Sequence, residues 1–240
     1  MTGGGDYEIL VVGARQIGMS KITQVARQFK LKEEKLLGDW IVCIPGFTLE
    51  KYRRLQRSRL SILSINCFGG FVSHLLGLPF RSPFINLWLK NEDFIKFLRA
   101  PRVYLEYSLH FEKLYAEDQP YPVATLGNIS LNMMHYKTFD ESFDAWEKRK
   151  TKINWYNLFV EMWTENPKLL EEFDTLPYGK KICFVPFKSD LDSAWYINPT
   201  IDSQEKRIDG IVNNFVQGKI FYYDLFDMLL YGKKTQLIDM

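Results

Sequence analysis

Cysteine is scarce in this chain: Cys43, Cys67 and Cys183 are the three thiols among 240 residues. An odd count with no paired spacing argues against a disulfide framework and for reduced thiols in a cytoplasmic setting. There is no C-x-x-C pair and no H-E-x-x-H, so no metal site is readable, and no cofactor is expected. Neither sign of charge dominates: 31 basic against 29 acidic side chains leave a net +2. Composition therefore calls for neither nucleic acid nor an anionic membrane as a partner. No apolar run approaches the ~18 residues needed to span a bilayer, so no transmembrane segment is expected. The start lacks the basic-then-apolar order of a secretory signal.

What is present is ordinary in bulk and unusual in its rings. The chain is 46% hydrophobic and 25% charged, as globular proteins are, while 15% of it is Phe, Tyr or Trp. So many rings imply a well-filled core, and beyond it an aromatic-lined pocket or a subunit interface. The cluster from Lys51 to Arg59, with Arg53, Arg54 and Arg57 between, is the most basic stretch. It reads as the wet face of a helix, with a phosphate-binding patch as the alternative.

Two parts are expected, a small N-terminal α/β piece over residues 1–45 and a main α/β domain over 46–240. In the first, Tyr7 to Val12 reads as a buried strand ending at Gly13, then a helix over Ser20 to Leu37 and a short strand from Trp40 to Ile44. The glycine turn resembles a dinucleotide-binding unit but lacks the full G-x-G-x-x-G, and two strands are too few for that fold. Met19-Ser20-Lys21 resembles a fresh start, which predicts missing residues around position 18.

In the main domain Thr48 caps a helix that carries the basic cluster, and Leu60 to Ile65 is a strand leading to Asn66-Cys67. Phe71 to Leu76 reads as a helix, and the two prolines of GLPFRSPFINLWL force an extended loop into a strand at Phe84 to Leu89. Helices are expected over Glu92 to Leu98 and Pro101 to Leu114. A hairpin turns at Gly127-Asn128 between Tyr121–Leu126 and Ile129–His135. A helix over Asp140 to Lys150, a strand over Asn157 to Trp163 and a Pro167-initiated helix follow. The apolar strand Lys181 to Phe187 and an aromatic-rich helix over Lys219 to Leu230 complete the pattern. The fold class is α/β, a mixed sheet covered by helices on both faces.

Several strands end in chemically useful residues: Asn66 and Cys67, His135, Thr164 and Glu165, and Lys188 to Asp190. In open α/β sheets ligands lie beyond the carboxyl ends of strands, so these ends are expected to converge on one cleft. Cys67 stands beside Gly69-Gly70 and before a helix, an arrangement that favours thiolate and can expose amides to an anion. The alternative is a buried turn thiol with glycines present for backbone geometry alone. His135 is placed to move a proton, or else to cap a turn at the surface. Arg149, Asn154 and Lys188, with Asp190, are candidates to hold an anionic ligand, Arg149 otherwise being the charged end of a helix.

SINCFGG, GLPFRSPFINL, MMHYKTFDESFDAWEKRKTKINWYNLFV and KKICFVPFK, read together from Asp39 to Ser193, resemble an uncharacterised bacterial family, formally a domain of unknown function. Its members are often labelled exopolysaccharide biosynthesis proteins. The motif positions here are Asn66, Cys67, Gly69, Gly70, Pro79, Ser82, Pro83, His135, Tyr136, Trp146, Arg149 and Asn154. The resemblance implies a role in making or modifying surface glycans. Three functions follow as expectations. The first is a transferase acting on an activated sugar or its acyl group, with Cys67 and His135 at the reacting centre. The second is a module that binds a nucleotide-sugar or glycan without catalysis. The third is an assembly protein, a homodimer or other homo-oligomer, whose C-terminal rings (Phe221, Tyr222, Phe226) meet another subunit.

Overall fold

The computed structural model describes residues 44–115, 120–201, 205, 207–216 and 218–240. The expected N-terminal piece, and Cys43 with it, falls outside these residues but for its last two, Ile44 and Pro45. The chain order is α1 (Leu49–Arg57), β1 (Ser61–Ser64), α2 (Phe68–Leu75), α3 (Asn91–Arg99), α4 (Pro101–Glu106), β2 (Leu109–Tyr115), β3 (Tyr121–Leu126), β4 (Ile129–Asn132) and α5 (Phe139–Lys150). β5 (Leu158–Trp163), α6 (Pro167–Asp174), β6 (Lys181–Val185), β7 (Ala194–Tyr196), α7 (Ile208–Val216) and α8 (Leu225–Tyr231) follow.

The α/β class holds, with the parallel and antiparallel strands segregated. β1, β5, β6 and β7 form one all-parallel sheet in that order, while β2, β3 and β4 form a separate antiparallel sheet. Side-chain alternation in the parallel strands builds two cores. Ile62, Phe159, Ile182, Phe184 and Trp195 face α1, α2, α7 and α8. Leu63, Val160, Met162, Cys183 and Val185 face α3, α5, α6 and the antiparallel sheet. A sheet buried on both faces is why β5 and β6 read as nearly continuous apolar runs.

Helix starts follow the expected chemistry. Thr48 accepts from the Lys51 amide at 3.1 Å, Thr138 from Glu141 at 3.2 Å, and Asn166 from Lys168 at 3.0 Å just before Pro167. Asp224 caps α8 through the amides of Phe226 and Asp227, and Lys51 pairs with both Asp224 and Asp227, at 3.0 and 2.6 Å, tying α1 to α8. Gly127 sits at φ +60° in the hairpin, where a side chain is disfavoured.

Four expectations need correction. Leu109 to Leu114 is a strand: its outward side chains belong to an exposed edge of the antiparallel sheet, which hid the alternation. His110 is therefore on a strand. Phe84 to Leu89 forms only a single bridge, Trp88 to Asn132, because Asn86 takes φ +67° and breaks the extended run. Lys219 to Asp224 is not helical, and the closing helix begins at Leu225 once Asp224 supplies the cap. Phe221, Tyr222 and Phe226 are buried in the chain's own core, so these rings are not a surface for another subunit.

Candidate active site

The carboxyl end of β1 is fastened by short-range bonds. Ser64 Oγ donates to the Asn66 carbonyl at 2.9 Å and accepts from the Gly69 amide at 3.0 Å, while Asn66 Oδ1 accepts from the Phe68 amide at 2.9 Å. These bonds stop the strand and start α2 with Cys67 at its N-cap. The glycine reading is corrected here. Gly69 and Gly70 are buried and helical, outside the positive-φ set. A Cβ at Gly69 would come within 2.9 Å of Ser64 Oγ and 3.1 Å of Ile62 Cγ2, so this glycine lets the helix lie close on the strand. The Phe68 and Gly69 amides are occupied within the junction itself.

Cys67 is 8% exposed, and His135 stands at the surface above it. His135 Nε2 lies 3.2 Å from Cys67 Sγ across 68 residues of sequence. The ring is delivered by the segment after β4, whose backbone is pinned where the His135 amide donates to the Asn86 carbonyl at 3.3 Å. The thiol is not pre-ionised. Burial, and with it Glu161 wherever that carboxyl is charged, pushes Cys67 up to about 11, opposite to the lowering expected from a helix start.

Glu161 went unnoticed in the sequence. On β5 it pairs in register with Ser64 of β1, is fully buried, and neither carboxyl oxygen has a hydrogen-bond partner. Burial holds its pKa well above the carboxylate range, so the group is kept neutral. The signal was available: one acid inside the otherwise apolar strand LFVEMW. The Asn66 Nδ2 donor, adjacent in sequence to Cys67, is likewise buried with no partner.

The residue after His135 links the pair to a cationic cleft. Tyr136 is buried and donates to the Ile85 carbonyl at 3.0 Å, and Arg149 Nη1 donates to Tyr136 Oη at 2.5 Å. Burial raises the Tyr136 phenol, opposed by the neighbouring guanidinium. Trp146, one turn before Arg149, packs edge-on against Phe84 at 5.6 Å and fixes the helix. On the outer side of α5 a cleft of about 650 Å³ holds Arg81, Lys148, Arg149 and Lys152, with Asp144 as the one carboxylate among the described lining residues. The Arg149 guanidinium lies 5.4 Å from the Phe80 ring centroid in the same cleft. Arg149 is thus brought to the cleft wall, while Cys67 and His135 are outside its lining and are joined to Arg149 through Tyr136, the chain neighbour of His135.

The remaining candidates separate. The Asn154 amide donates to Ser61 Oγ at 2.8 Å and its Nδ2 donates to the Arg59 carbonyl at 3.0 Å, so it buttresses the amino end of β1, the opposite edge. Lys188 and Asp190 are exposed beyond β6, on the carboxyl edge but with β5 between them and β1, and neither lines the Arg149 cleft. Among the described residues no group of three or more His, Cys, Asp or Glu side chains is placed to hold a metal ion, and no helix is long and apolar enough to cross a membrane.

Residues 42–231 match the family described as a domain of unknown function, DUF1919. An uncharacterized protein of Haemophilus influenzae is 33% identical over 180 residues, covering 73% of this chain and 84% of its own.

Proposed function

Because the chain belongs to the DUF1919 family, whose description names no activity, we propose from the site that it is a group-transfer enzyme acting on a phosphate-activated sugar or its acyl group. The observation that carries this reading is the 3.2 Å approach of His135 Nε2 to Cys67 Sγ, beside a cleft that gathers Arg81, Lys148, Arg149 and Lys152. The cleft holds the donor phosphate by charge-assisted bonds, and Arg149 is oriented for it by Tyr136. His135 then takes the thiol proton as Cys67 sulfur bonds to the donor carbon and the carbon–oxygen bond to phosphate breaks. His135 gives that proton to the departing phosphate; neutral again, in the second half it removes a proton from an acceptor hydroxyl, whose oxygen displaces the sulfur, and returns that proton to Cys67. Glycan synthesis as the setting, and a cytoplasmic location suited to the free thiols of Cys67 and Cys183, belong to the same proposal.

A second reading has its own support: a thiol pushed up to about 11 suits a module that binds a nucleotide-sugar without breaking bonds. Incubation with a panel of nucleotide-sugars, followed by intact mass, separates the two. The transferase reading expects a glycosyl or acyl adduct on Cys67 that Cys67→Ala abolishes without loss of binding, and weakened binding in Arg149→Gln. Binding with no adduct and no turnover leaves the module. No binding that Arg149→Gln weakens removes both.

A further inference from the structure

β2 is the outer strand of the antiparallel sheet, and among the described residues no strand adjoins its other edge. At about 3.3 Å per residue, Leu109–Tyr115 presents roughly 20 Å of main chain open to pairing along that edge. The strand also overhangs its cover. The helix α5 packs on β3, so Leu109 is buried while Phe111 and Leu114, on the same face, are 50% and 57% exposed. The Phe111 ring meets Phe139, the first residue of α5, edge-on at 5.6 Å.

A β-bulge decides which side chains can meet across the open edge. Phe111 lies opposite Ala124 and Lys113 opposite Val123, so Glu112 is the extra residue. Strict alternation is lost there: Phe111 and Leu114 share the inner face, and Glu112 and Lys113 share the outer one. On that outer face Lys113 Nζ lies 3.5 Å from Glu112 Oε1, and Ser130 Oγ donates to Glu112 Oε2 at 3.4 Å. Both contacts are long, and the two side chains stay 62% and 37% exposed, free to turn toward a second partner. When a second copy is laid antiparallel on this edge, one symmetric register keeps like faces together from His110 to Tyr115. Phe111 then falls opposite Leu114 of the second copy, Glu112 opposite its Lys113, and His110 opposite its Tyr115, each pair occurring twice. A slip of one residue sets Glu112 or Lys113 against its own counterpart, and Phe111 or Leu114 against a charge. The bulge that spoils pairing with an indiscriminate strand therefore suits this one.

We propose that the chain forms a two-fold homodimer by antiparallel pairing of β2 with β2 of a second copy, joining two three-stranded sheets into one. Phe111 and Leu114 pack across the inner face, and Glu112 and Lys113 pair across the outer face. The patch is small beside the ~800 Å² per partner of a stable interface, so the dimer is concentration-dependent. Sedimentation velocity of the full chain under reducing conditions, from about 1 μM to about 300 μM, follows it. A reversible rise from one chain mass, 28.3 kDa, toward twice that value is expected. Glu112→Lys alone and Lys113→Glu alone should each weaken self-association about tenfold or more, because like charges then face each other twice. An equal mixture of these two variants should associate again, since every charge then faces its opposite in the mixed dimer. Leu114→Asp should weaken association with no such rescue by either charge variant. All three side chains are exposed, and the melting temperature of each variant checks that the fold is kept. A monomer at every concentration, a dimer indifferent to these substitutions, or a mixture that fails to associate overturns the proposal.

Discussion

Replacing Glu161 by Gln should remove a pH-dependent weakness from the core. Glu161 is fully buried on β5, flanked by Ser64 of β1 and Ile182 of β6, and neither oxygen is hydrogen-bonded. The neighbouring Ile65 amide is spent on the Glu161 main-chain carbonyl at 3.2 Å. Burial therefore raises the native pKa well above the ordinary carboxylate value, while in the unfolded chain the group ionises at about 4.3. The native state keeps a proton that the unfolded state releases. Stability is complete below the unfolded value and falls as pH rises from there toward the raised native value, by about 1.4 kcal/mol for each pH unit of that window. Gln has nearly the same shape and does not titrate. It too leaves a buried polar group unpaired, a cost of about 1–3 kcal/mol that does not vary with pH. The diagnostic is the slope, since every other titrating group cancels in the difference between the two proteins. Urea denaturation of wild type and Glu161→Gln at intervals between pH 4 and pH 8 measures it. The wild type should lose ground steadily against the variant as pH rises. A difference that stays flat, or that moves in favour of wild type, would refute the reasoning by showing that the carboxylate is charged and solvated in the native state.

Two further outcomes test the same junction. Alkylation of native Cys67 should be slow at pH 8, about 200-fold slower than for an ordinary thiol, given a pKa of about 11 against about 8.5. The rate should rise close to tenfold per pH unit and still exceed that of fully buried Cys183; fast, pH-independent labelling of Cys67 near neutrality would contradict this. Gly69→Ala should cost about 1–3 kcal/mol because its Cβ meets Ser64 Oγ at 2.9 Å. Gly70→Ala, whose nearest neighbour would be 3.6 Å away, should be neutral or stabilising by up to about 1 kcal/mol, and equal losses at both sites would disprove the close-packing account.

Legibility in the sequence followed the range of the interactions. The cap at Thr48, the helix start at Pro167, the Gly127-Asn128 turn and the apolar β5 and β6 are decided within a few residues, and were read; the caps at Thr138 and Asn166 are equally local but were passed over. β2 was not, because LHFEKLY is exposed at nearly every position and becomes a strand only through its pairing with β3. β7 and α7 escaped for a related reason, being fixed by packing on β6 and on the helical core rather than by strong local signals. Cys67 and His135 were chosen singly as strand-end residues, and their approach to 3.2 Å depends on how the antiparallel sheet docks on the parallel one. Arg81 enters the cationic cleft from a loop far in sequence from Lys148 and Lys152. Glu161 could have been found, since a single acid in a run of buried apolar residues has either a purpose or a large cost.

The electrostatics of the junction constrain how Cys67 could react. A low-pKa cysteine would attack as a preformed thiolate, and the helix start alone would favour that. Here the thiol is 8% exposed, pushed up to about 11, and next in the fold to a carboxyl group kept neutral by burial. Ionising either group would place an uncompensated charge in a poorly solvated region. Sulfur can therefore gain nucleophilic character only as its proton passes to His135, within hydrogen-bonding reach at 3.2 Å. The imidazolium so formed needs a negative charge nearby, and the described lining of the neighbouring cleft holds one carboxylate against four cations. On the transferase reading proposed above, the departing phosphate of the donor supplies that charge. On that reading proton transfer, attack and phosphate departure are coupled by the same shortage of compensation, and the resting protein should stay inert toward solvent electrophiles until a phosphate-bearing ligand occupies the cleft.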